Sequence, residues 1–478
     1  MNNSTLDSRS ASIRLLLLAV LLASGAVALH WPGHVSMDTS IQLYEASIGK
    51  SVGWQPPFTS ALMKWLGGGE AATGKIVLLC SLLTYGSLGY VAAAVLRDRS
   101  ARGEHRIAAW RVVLCALLLL NPVIFVYVGI VWKDVLFASV LTAAAGLSFA
   151  AAVSPARRGL ALSLAAAVLL AIAMQVRQQG VFMAPALLLL PIVAIVGSRG
   201  WSRWRQVLGV VTLASVFLVS LSVTRALVAS AITEAGDKSS AVGFRSIMSF
   251  DIAGTVARTD TKTEALPVSI SEAQRAAVRR VYTSRNIDYL ARDPLVWEWL
   301  DTFTEEQRKE AWLDLMRHEP VAYFGHKWDV YRSVLTLNGL RRCLPLHVGV
   351  YGNSDYLRAV GIVEGEDARD RAVYALASAF FGLPLYRHWF YVLAMLGAAV
   401  AMTVVTLPAR LKAMCAVVAL AAALFYLSFL PTAIACDFRY LYSGIPLVKM
   451  LWIVLLAGGL PRAPSAFPAP NVSSAPSP

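Results

Sequence analysis

The stretch that decides the fold is WKDVLFASVLTAAAGLSFAAAV at residues 132–153, in which three interfacial residues precede 19 residues without a charge. A helix rises about 1.5 Å per residue, so roughly 20 mostly apolar residues cross the hydrocarbon layer of a membrane, which is about 30 Å thick. This run therefore predicts a membrane-spanning helix. Trp132, Lys133 and Asp134 mark the point where that helix reaches the membrane surface.

Similar apolar runs lie on both sides of this one. They give ten predicted spans, at residues 13–31, 75–96, 109–127, 135–153, 159–175, 181–197, 206–226, 389–408, 413–431 and 445–460. The composition agrees, because 57% of the 478 residues are hydrophobic and only 15% are charged, against about 25% charged residues in soluble domains. We therefore predict an all-α integral membrane protein with about ten transmembrane helices.

The positive charge of the chain is concentrated in alternate short loops. Its 43 Lys and Arg exceed the 29 Asp and Glu, and the basic groups between spans are Arg9 and Arg14; Arg97, Arg99, Arg102, Arg106 and Arg111; Arg157 and Arg158; Arg199, Arg203 and Arg205; and Arg410 and Lys412. Loops of this kind face the cytoplasm, so both termini are predicted to lie inside and the first span to be retained. Because the excess charge is explained in this way, nucleic acid is not expected as a partner.

The spans divide the chain into five parts. These are a cytoplasmic N-terminus at 1–12; transmembrane helices 1–7 at 13–230, including a long first outer loop at 31–74; a large extracytoplasmic segment at 231–388; transmembrane helices 8–10 at 389–460; and a disordered, Pro-, Ala- and Ser-rich cytoplasmic tail at 461–478. The segment at 231–388 contains 20 basic and 21 acidic residues, and its length is sufficient for a small domain against the membrane.

This outer segment is predicted to be mainly helical. Ser269-Ile-Ser-Glu272 and Thr302-Phe-Thr-Glu305 both match the capping box, in which a hydroxyl and a carboxylate satisfy backbone donors at the start of a helix. The second helix should end near His318, before Pro320, and Pro320 can itself begin the next helix.

Charged and aromatic residues gather at four outer ends of the spans. The groups are Asp38 with Glu45 in the first outer loop; Lys133 and Asp134; Arg177 with Gln178 and Gln179; and Asp437 with Arg439 and Tyr440. Ionisable residues at the end of a span are unfavourable unless they face a partner or a wet cavity. Acids and cations on one membrane surface could hold an anionic lipid headgroup and remove a proton from a hydroxyl.

Simpler explanations exist for each group. Asp38 could be only a helix cap, Lys133 with Asp134 an interfacial anchor, and Arg177 with Arg439 snorkelling side chains. His326 could be structural or could belong to the site. Whether Cys343 and Cys436 form a disulfide is left open by their spacing, as is a metal site.

This layout resembles the GT-C class of polytopic glycosyltransferases over roughly residues 10–460. The resemblance rests on short motifs: His34-Val-Ser-Met-Asp38 in the first outer loop, Trp132-Lys133-Asp134 in the second, Val176-Arg177-Gln178-Gln179-Gly180 in the third, and Asp437-Phe-Arg439-Tyr440-Leu in a late outer loop. The paired or D-x-D acids of the class are absent, since only Asp38 and Glu45 precede the Gln55-Pro-Pro-Phe segment. A divalent cation (Mg²⁺ or Mn²⁺) is therefore not firmly implied, and its ligands are unknown.

The resemblance implies an inverting enzyme that transfers a hexosyl or pentosyl group from a polyprenyl-phosphate-linked sugar to a glycan, lipid or protein acceptor of the cell envelope. It implies Asp38 as catalytic base and Asp134 as an assisting acid, while we expect the cations to bind the donor phosphate. The expected phosphate ligands are Lys133, Arg177 and Arg439, and the expected further substrate contacts are Glu45, His326 and Tyr440.

The resemblance also implies a bacterial inner membrane, with membrane lipids around the protein and the active site on the outer face. Two other functional classes share parts of this layout. A surface-glycan polymerase or ligase would place its essential residues in the outer segment, for example Arg341, Arg342 or His347. A lipid or sugar transporter would instead want ionisable residues near the middle of the membrane and internal repeats.

Overall fold

The computed structural model describes residues 5–53, 55–198, 200–233 and 239–461. Over these residues the chain is almost wholly helical. The helices are α1 Ser8–His30, α2 Met37–Ile48, α3 Phe58–Trp65, α4 Gly69–Ala101, α5 Ala109–Leu119, α6 Pro122–Tyr127, α7 Lys133–Ala152, α8 Ala156–Val176, α9 Gly180–Val196, α10 Arg203–Ala231, α11 Ser239–Arg258, α12 Glu272–Val281, α13 Pro294–Asp301, α14 Glu305–His318, α15 Pro320–Val334, α16 Ser354–Ala359, α17 Ala368–Ser378, α18 His388–Val404, α19 Ala409–Thr432 and α20 Gly444–Gly458. Arg199 lies outside the described ranges. The residues of the predicted disordered tail also lie outside them, except Pro461.

The predicted membrane architecture is confirmed. Eight segments are long and apolar enough to cross a membrane: Ser8–His30, Gly69–Ala101, Ala109–Tyr127, Lys133–Ala152, Ala156–Val176, Arg203–Ala231, Ala409–Thr432 and Phe438–Gly458. The two remaining predicted spans correspond to shorter apolar helices, Gly180–Val196 and His388–Val404. Each of the ten predicted runs therefore contains a helix.

Two of the spans form the centre of the bundle. In Lys133–Ala152 and in Phe438–Gly458, 94% of the residues of the apolar stretch are buried inside the protein. In Arg203–Ala231 the corresponding share is 17%. The small residues of α7 explain its central place, because they let neighbouring helices approach closely. A Cβ added at Gly146 would lie 3.0 Å from the Cβ of Ser87 on α4.

Two short antiparallel ribbons join the loops at one end of the bundle. Strand β1 (Thr5–Asp7) pairs with β2 (Arg106–Ala108), and β3 (Val405–Thr406) pairs with β4 (Leu460–Pro461). Arg99 donates hydrogen bonds to the carbonyls of Arg106 and Gly459, which links the two ribbons. The segments before the first span and after the last span therefore lie on the same face, as the charge pattern predicts.

The outer segment is helical, but its helices begin later than the two predicted boxes indicate. Capping boxes form at Ser271 with Gln274 and at Thr304 with Gln307, two residues after the predicted positions. Thr302 is not free for this role, because it ends the preceding helix, α13. Helix α14 ends at His318 and α15 begins at Pro320, as predicted.

Candidate functional site

The span ends that the charge pattern predicts to lie outside surround one cavity of about 500 Å³. All four predicted groups contribute to its lining: Asp38; Lys133 and Asp134; Arg177, Gln178 and Gln179; and Asp437, Arg439 and Tyr440. These residues are up to 402 positions apart in the chain. The structure thus brings together residues that the sequence could only place on a common membrane face.

Backbone pairing carries Asp38 to this cavity. His34 donates its N–H to the carbonyl of Gly129, and Val131 donates to the carbonyl of His34, with both distances 3.0 Å. The first outer loop is therefore bonded to the loop that precedes Lys133. Ser36 occupies the N-cap of α2 and Asp38 lies in the first turn of this helix, so Asp38 is not the cap.

Arg439 forms an ion pair with Asp38. Its Nη1 donates to Oδ2 of Asp38, and its Nη2 lies 3.4 Å from Oδ2 of Asp437. The guanidinium also lies over the ring of Trp132, 4.8 Å from its centroid. Arg439 therefore bridges two carboxylates, and a cation–π contact with Trp132 helps to hold its guanidinium in position.

The two carboxylates that flank Arg439 differ in their electrostatic environment. Burial would raise the pKa of Asp38, but the charges of Arg439 and Lys133 outweigh it and hold that pKa below its ordinary value. Burial also dominates at Asp437, where it raises the pKa despite the opposing charge of Arg439. Asp38 is consequently the more firmly ionised of the two acids.

Arg177 and Asp134 form a second ion pair in the cavity. Nη1 of Arg177 lies 2.8 Å from Oδ1 of Asp134, and both side chains are buried. The same nitrogen donates to the carbonyl of Tyr440 at 2.9 Å, so Arg177 is tied to the loop that carries Arg439. Lys133 is buried too and adds a third positive charge to the lining of the cavity.

Comparisons with known proteins leave the family undetermined. No family model matches the chain, and no curated protein matches it. Two solved structures that match are crystal structures of ArnT from Cupriavidus metallidurans, in the apo state and bound to undecaprenyl phosphate, with TM-scores of 0.32 and 0.31 and identities of 14% and 16%. The matches cover 93% and 92% of this chain and 76% and 77% of those chains. TM-scores this low support no inference about the chemistry of this chain.

Glu45 was expected to contact substrate, but the structure places it within the fold of the first loop. It is buried, and its Oε1 accepts hydrogen bonds from the backbone N–H groups of Val52 and Gly53. Its Oε2 accepts from the hydroxyl of Ser60 at 2.6 Å. The carboxylate thus stabilises the turn between α2 and α3, and it does not line the cavity.

His326 was also expected near the substrate, and it lies in a separate buried network. Its Nε2 is 3.1 Å from Oδ1 of Asp251, and its Nδ1 is 2.6 Å from the hydroxyl of Tyr282. Asp251 also lies 2.5 Å from Nζ of Lys327. These contacts join helices α11 and α15 inside the outer segment, which is the structural alternative that the sequence left open.

The structure answers the question about the two outer cysteines. Cys343 and Cys436 form a disulfide between the outer segment and the loop before Asp437.

The residues proposed for a polymerase or ligase do not line the cavity. Arg341 and Arg342 are exposed, and the ring of His347 forms a hydrogen bond with the carbonyl of Val35 at 2.8 Å.

The outer segment adds residues to the cavity that sequence reasoning missed. Asn286, Asp288 and Phe244 line it, although each lies more than 140 residues before Arg439 in the chain. They belong to no recognisable motif, so only the folded chain reveals them.

The carboxylates of the cavity do not form a metal site in the described residues. No group of three or more His, Cys, Asp and Glu side chains is placed there to hold a metal ion. Of the four acids that line the cavity, Asp38, Asp134 and Asp437 each lie beside a guanidinium, whereas Asp288 accepts a hydrogen bond from the amide of Asn286. Cations thus engage three of the four acids, and the chemistry proposed below uses side chains alone.

Proposed function

We propose that this protein is a GT-C-type membrane glycosyltransferase. It moves a sugar from a polyprenyl-phosphate donor to a hydroxyl of a cell-envelope glycan, lipid or protein. One observation carries this proposal: Lys133, Arg177, Arg439 and the carboxylate of Asp38 converge from separate outer loops on one cavity. Cations suit a lipid phosphate and an ionised acid suits a hydroxyl, so the cavity matches both halves of the reaction.

The proposed reaction is a direct displacement at the anomeric carbon of the donor. The acceptor oxygen forms a bond to that carbon while the bond from the carbon to the phosphate oxygen breaks, and polyprenyl phosphate leaves with the electron pair. Asp38 takes the proton of the hydroxyl. Arg439 and Arg177 oppose the negative charge that grows on the leaving phosphate, as does Lys133. Asp134 holds Arg177 in place through its ion pair.

The rest of the cavity suits the hydrocarbon part of the donor. Phe182, Ile247 and Phe429 line it next to the charged residues. Phe182 lies on α9 and Phe429 on α19, both of which are apolar helices of the bundle. A polyprenyl chain could thus leave the cavity between spans while its phosphate stays at the cations.

The disulfide supports placing this cavity on the outer face of a bacterial inner membrane. Disulfides persist in oxidising compartments such as the periplasm and are rare in the cytosol. Cys436 precedes Asp437 directly, so the bond lies beside the cavity. Both this bond and the basic loops at the opposite face favour an extracytoplasmic site and cytoplasmic termini.

The experiment that tests the function is transfer of labelled sugar from a panel of polyprenyl-phosphate donors in membranes containing the protein. The wild type should transfer sugar, with or without a chelator, and Asp38→Asn should lower the rate about 10²–10⁴-fold, the usual contribution of a general base. Asp355→Asn is the matched control, because this carboxylate lies on α16 and its side chain is 87% exposed. Unchanged transfer by a folded Asp38→Asn variant would remove Asp38 from the base role. No transfer by the wild type from any donor would favour the polymerase, ligase or transporter class.

A further inference from the structure

The cavity has two walls of different chemistry. Within the lining, we call Lys133, Arg177 and Arg439 the cationic wall, and we call Asp288 and Gln179, which bring acceptor oxygens to the same cavity, the outer wall. Asp288 comes from the outer segment, and Gln179 is the N-cap residue of α9. The cationic wall offers donors of hydrogen bonds and the carboxylate of the outer wall offers only acceptors.

Asp288 is held at the cavity by backbone pairing and by its neighbour. Ile287 donates its N–H to the carbonyl of Ile434 at 2.9 Å, which fixes the outer segment to the loop before Asp437. The side chain of Asn286 accepts from the N–H of Asp288 at 2.9 Å and donates to its Oδ2 at 3.2 Å. Among the residues that the structure describes, the side chain bonded to this carboxylate is thus an amide.

The side chain of Gln179 presents a related feature on the same wall. Its Oε1 is buried and has no hydrogen-bond partner in the part of the chain that the structure describes. A buried acceptor without a donor is unfavourable. Since the amide lines the cavity and its last torsion turns easily, a hydroxyl bound beside Arg177 could supply the missing donor.

A phosphate alone would not use this wall. An anion is repelled by the carboxylate of Asp288 and gains nothing from an acceptor oxygen. A hydroxyl, in contrast, donates a hydrogen bond to either group, and a bond to a charged acceptor is the stronger kind. The two walls together therefore suit one molecule that has an anionic end and a neutral end rich in hydroxyl groups.

We propose that Asp288 and Gln179 bind hydroxyl groups of the sugar that the lipid phosphate carries, and so determine which donor sugar is accepted. This inference rests on the proposed function, because it takes the cationic wall as the phosphate site. In a sugar phosphodiester the anomeric carbon is bonded to a phosphate oxygen, so the ring must lie beside that site. The cavity of about 500 Å³ is within the range of roughly 300–1,000 Å³ of small-molecule sites.

The test compares binding of two lipids by the purified protein. The probes are bare polyprenyl phosphate and the panel of polyprenyl-phosphate sugars, with affinity measured without any acceptor. The wild type should bind at least one sugar-bearing lipid more tightly than the bare lipid. Asp288→Asn and Gln179→Ala should each reduce that preference several-fold, and together by roughly tenfold or more, because the first replaces a charged acceptor with a weaker neutral one and the second removes an acceptor. Their affinity for bare polyprenyl phosphate should not fall.

Controls separate the possible outcomes. Glu298→Gln, at an exposed acid of α13, should behave as the wild type does, and unchanged thermal unfolding of each variant shows that it is folded. A preference for the sugar lipid that survives in both Asp288→Asn and Gln179→Ala overturns the inference alone. Equal binding of both lipids by the wild type also overturns this inference and leaves the proposed function standing. A wild type that binds neither lipid overturns the proposed function and this inference with it.

Discussion

At the scale of single residues, Arg439 has a role that Lys could not fill. Its two terminal nitrogens reach different carboxylates, Asp38 and Asp437, while its plane lies over Trp132. A Lys ammonium is a point charge on a flexible stem and cannot make these three contacts together. The geometry of the guanidinium, and not only its charge, therefore holds the cavity in shape.

Arg439→Lys should consequently impair transfer strongly while the protein still folds. We expect a fall of about 10-fold or more in kcat/KM, because phosphate stabilisation and the position of Asp38 are both disturbed. The measurement is transfer kinetics beside thermal unfolding. Arg358→Lys is the control, since that side chain is 80% exposed on α16. Full activity of Arg439→Lys would show that a simple positive charge is sufficient.

Asp437 gives the site a predicted response to pH. Burial raises its pKa, so this carboxyl takes up a proton at a higher pH than an ordinary Asp does. Protonation removes a negative charge beside Arg439, and we expect activity to fall as the pH drops through this raised pKa. Asp38, whose pKa is lowered, should stay ionised in the same range. In Asp437→Asn the acid limb of the plot of kcat/KM against pH should therefore move to lower pH, and an unmoved limb would assign it to another group.

At the scale of secondary-structure elements, the loop from Ile434 to Leu441 is held from several sides. Cys436 is bonded to Cys343 and donates its N–H to the carbonyl of Arg285 at 2.9 Å. Phe438 accepts a hydrogen bond from Nε2 of His388 at 2.7 Å. These contacts fix the outer segment and the last span relative to each other, and the candidate site lies where they meet.

Removing the disulfide should thus disturb the site without abolishing the fold. A variant with Cys343→Ser and Cys436→Ser should be less stable, since disulfides typically contribute about 2–4 kcal/mol, and its transfer rate should fall several-fold as Arg439 loses its support. Thermal unfolding and transfer kinetics measure both effects. A reducing agent should reproduce them in the wild type and change nothing in the double variant. Unchanged activity after either treatment would mean that the backbone contacts alone hold the loop.

The elements show how far the sequence could lead. Each of the ten apolar runs contains a helix, and eight of these segments are long and apolar enough to cross a membrane, because each crossing requires a long apolar helix. The start of α14 was misplaced, since Thr302 and Thr304 both head a capping-box pattern and only packing shows that Thr302 ends α13. Glu45 and His326 carry side chains suited to chemistry, but their hydrogen bonds go to the fold. Asp288 belongs to no motif, and its neighbour Ile287 holds it at the cavity through a hydrogen bond from its N–H to the carbonyl of Ile434.

At the scale of the whole molecule, the two ends of the bundle are chemically distinct. One end holds the two ribbons and the arginine-rich loops. The other end holds the nearly neutral outer segment, the cavity and the disulfide. This polarity agrees with the proposed function, in which a lipid donor comes from the membrane and the acceptor lies outside the cytoplasm.

This arrangement predicts which introduced cysteines a membrane-impermeant thiol reagent can reach in intact cells. The native cysteines do not interfere, because Cys343 and Cys436 are paired and the other three are buried. Asp355→Cys, on the same side as the cavity, should be labelled before permeabilisation. Ala101→Cys, at the exposed end of α4 beside the ribbons, should be labelled only afterwards. The reverse pattern would place the cavity in the cytoplasm, where its disulfide would be reduced and a periplasmic acceptor could not be reached.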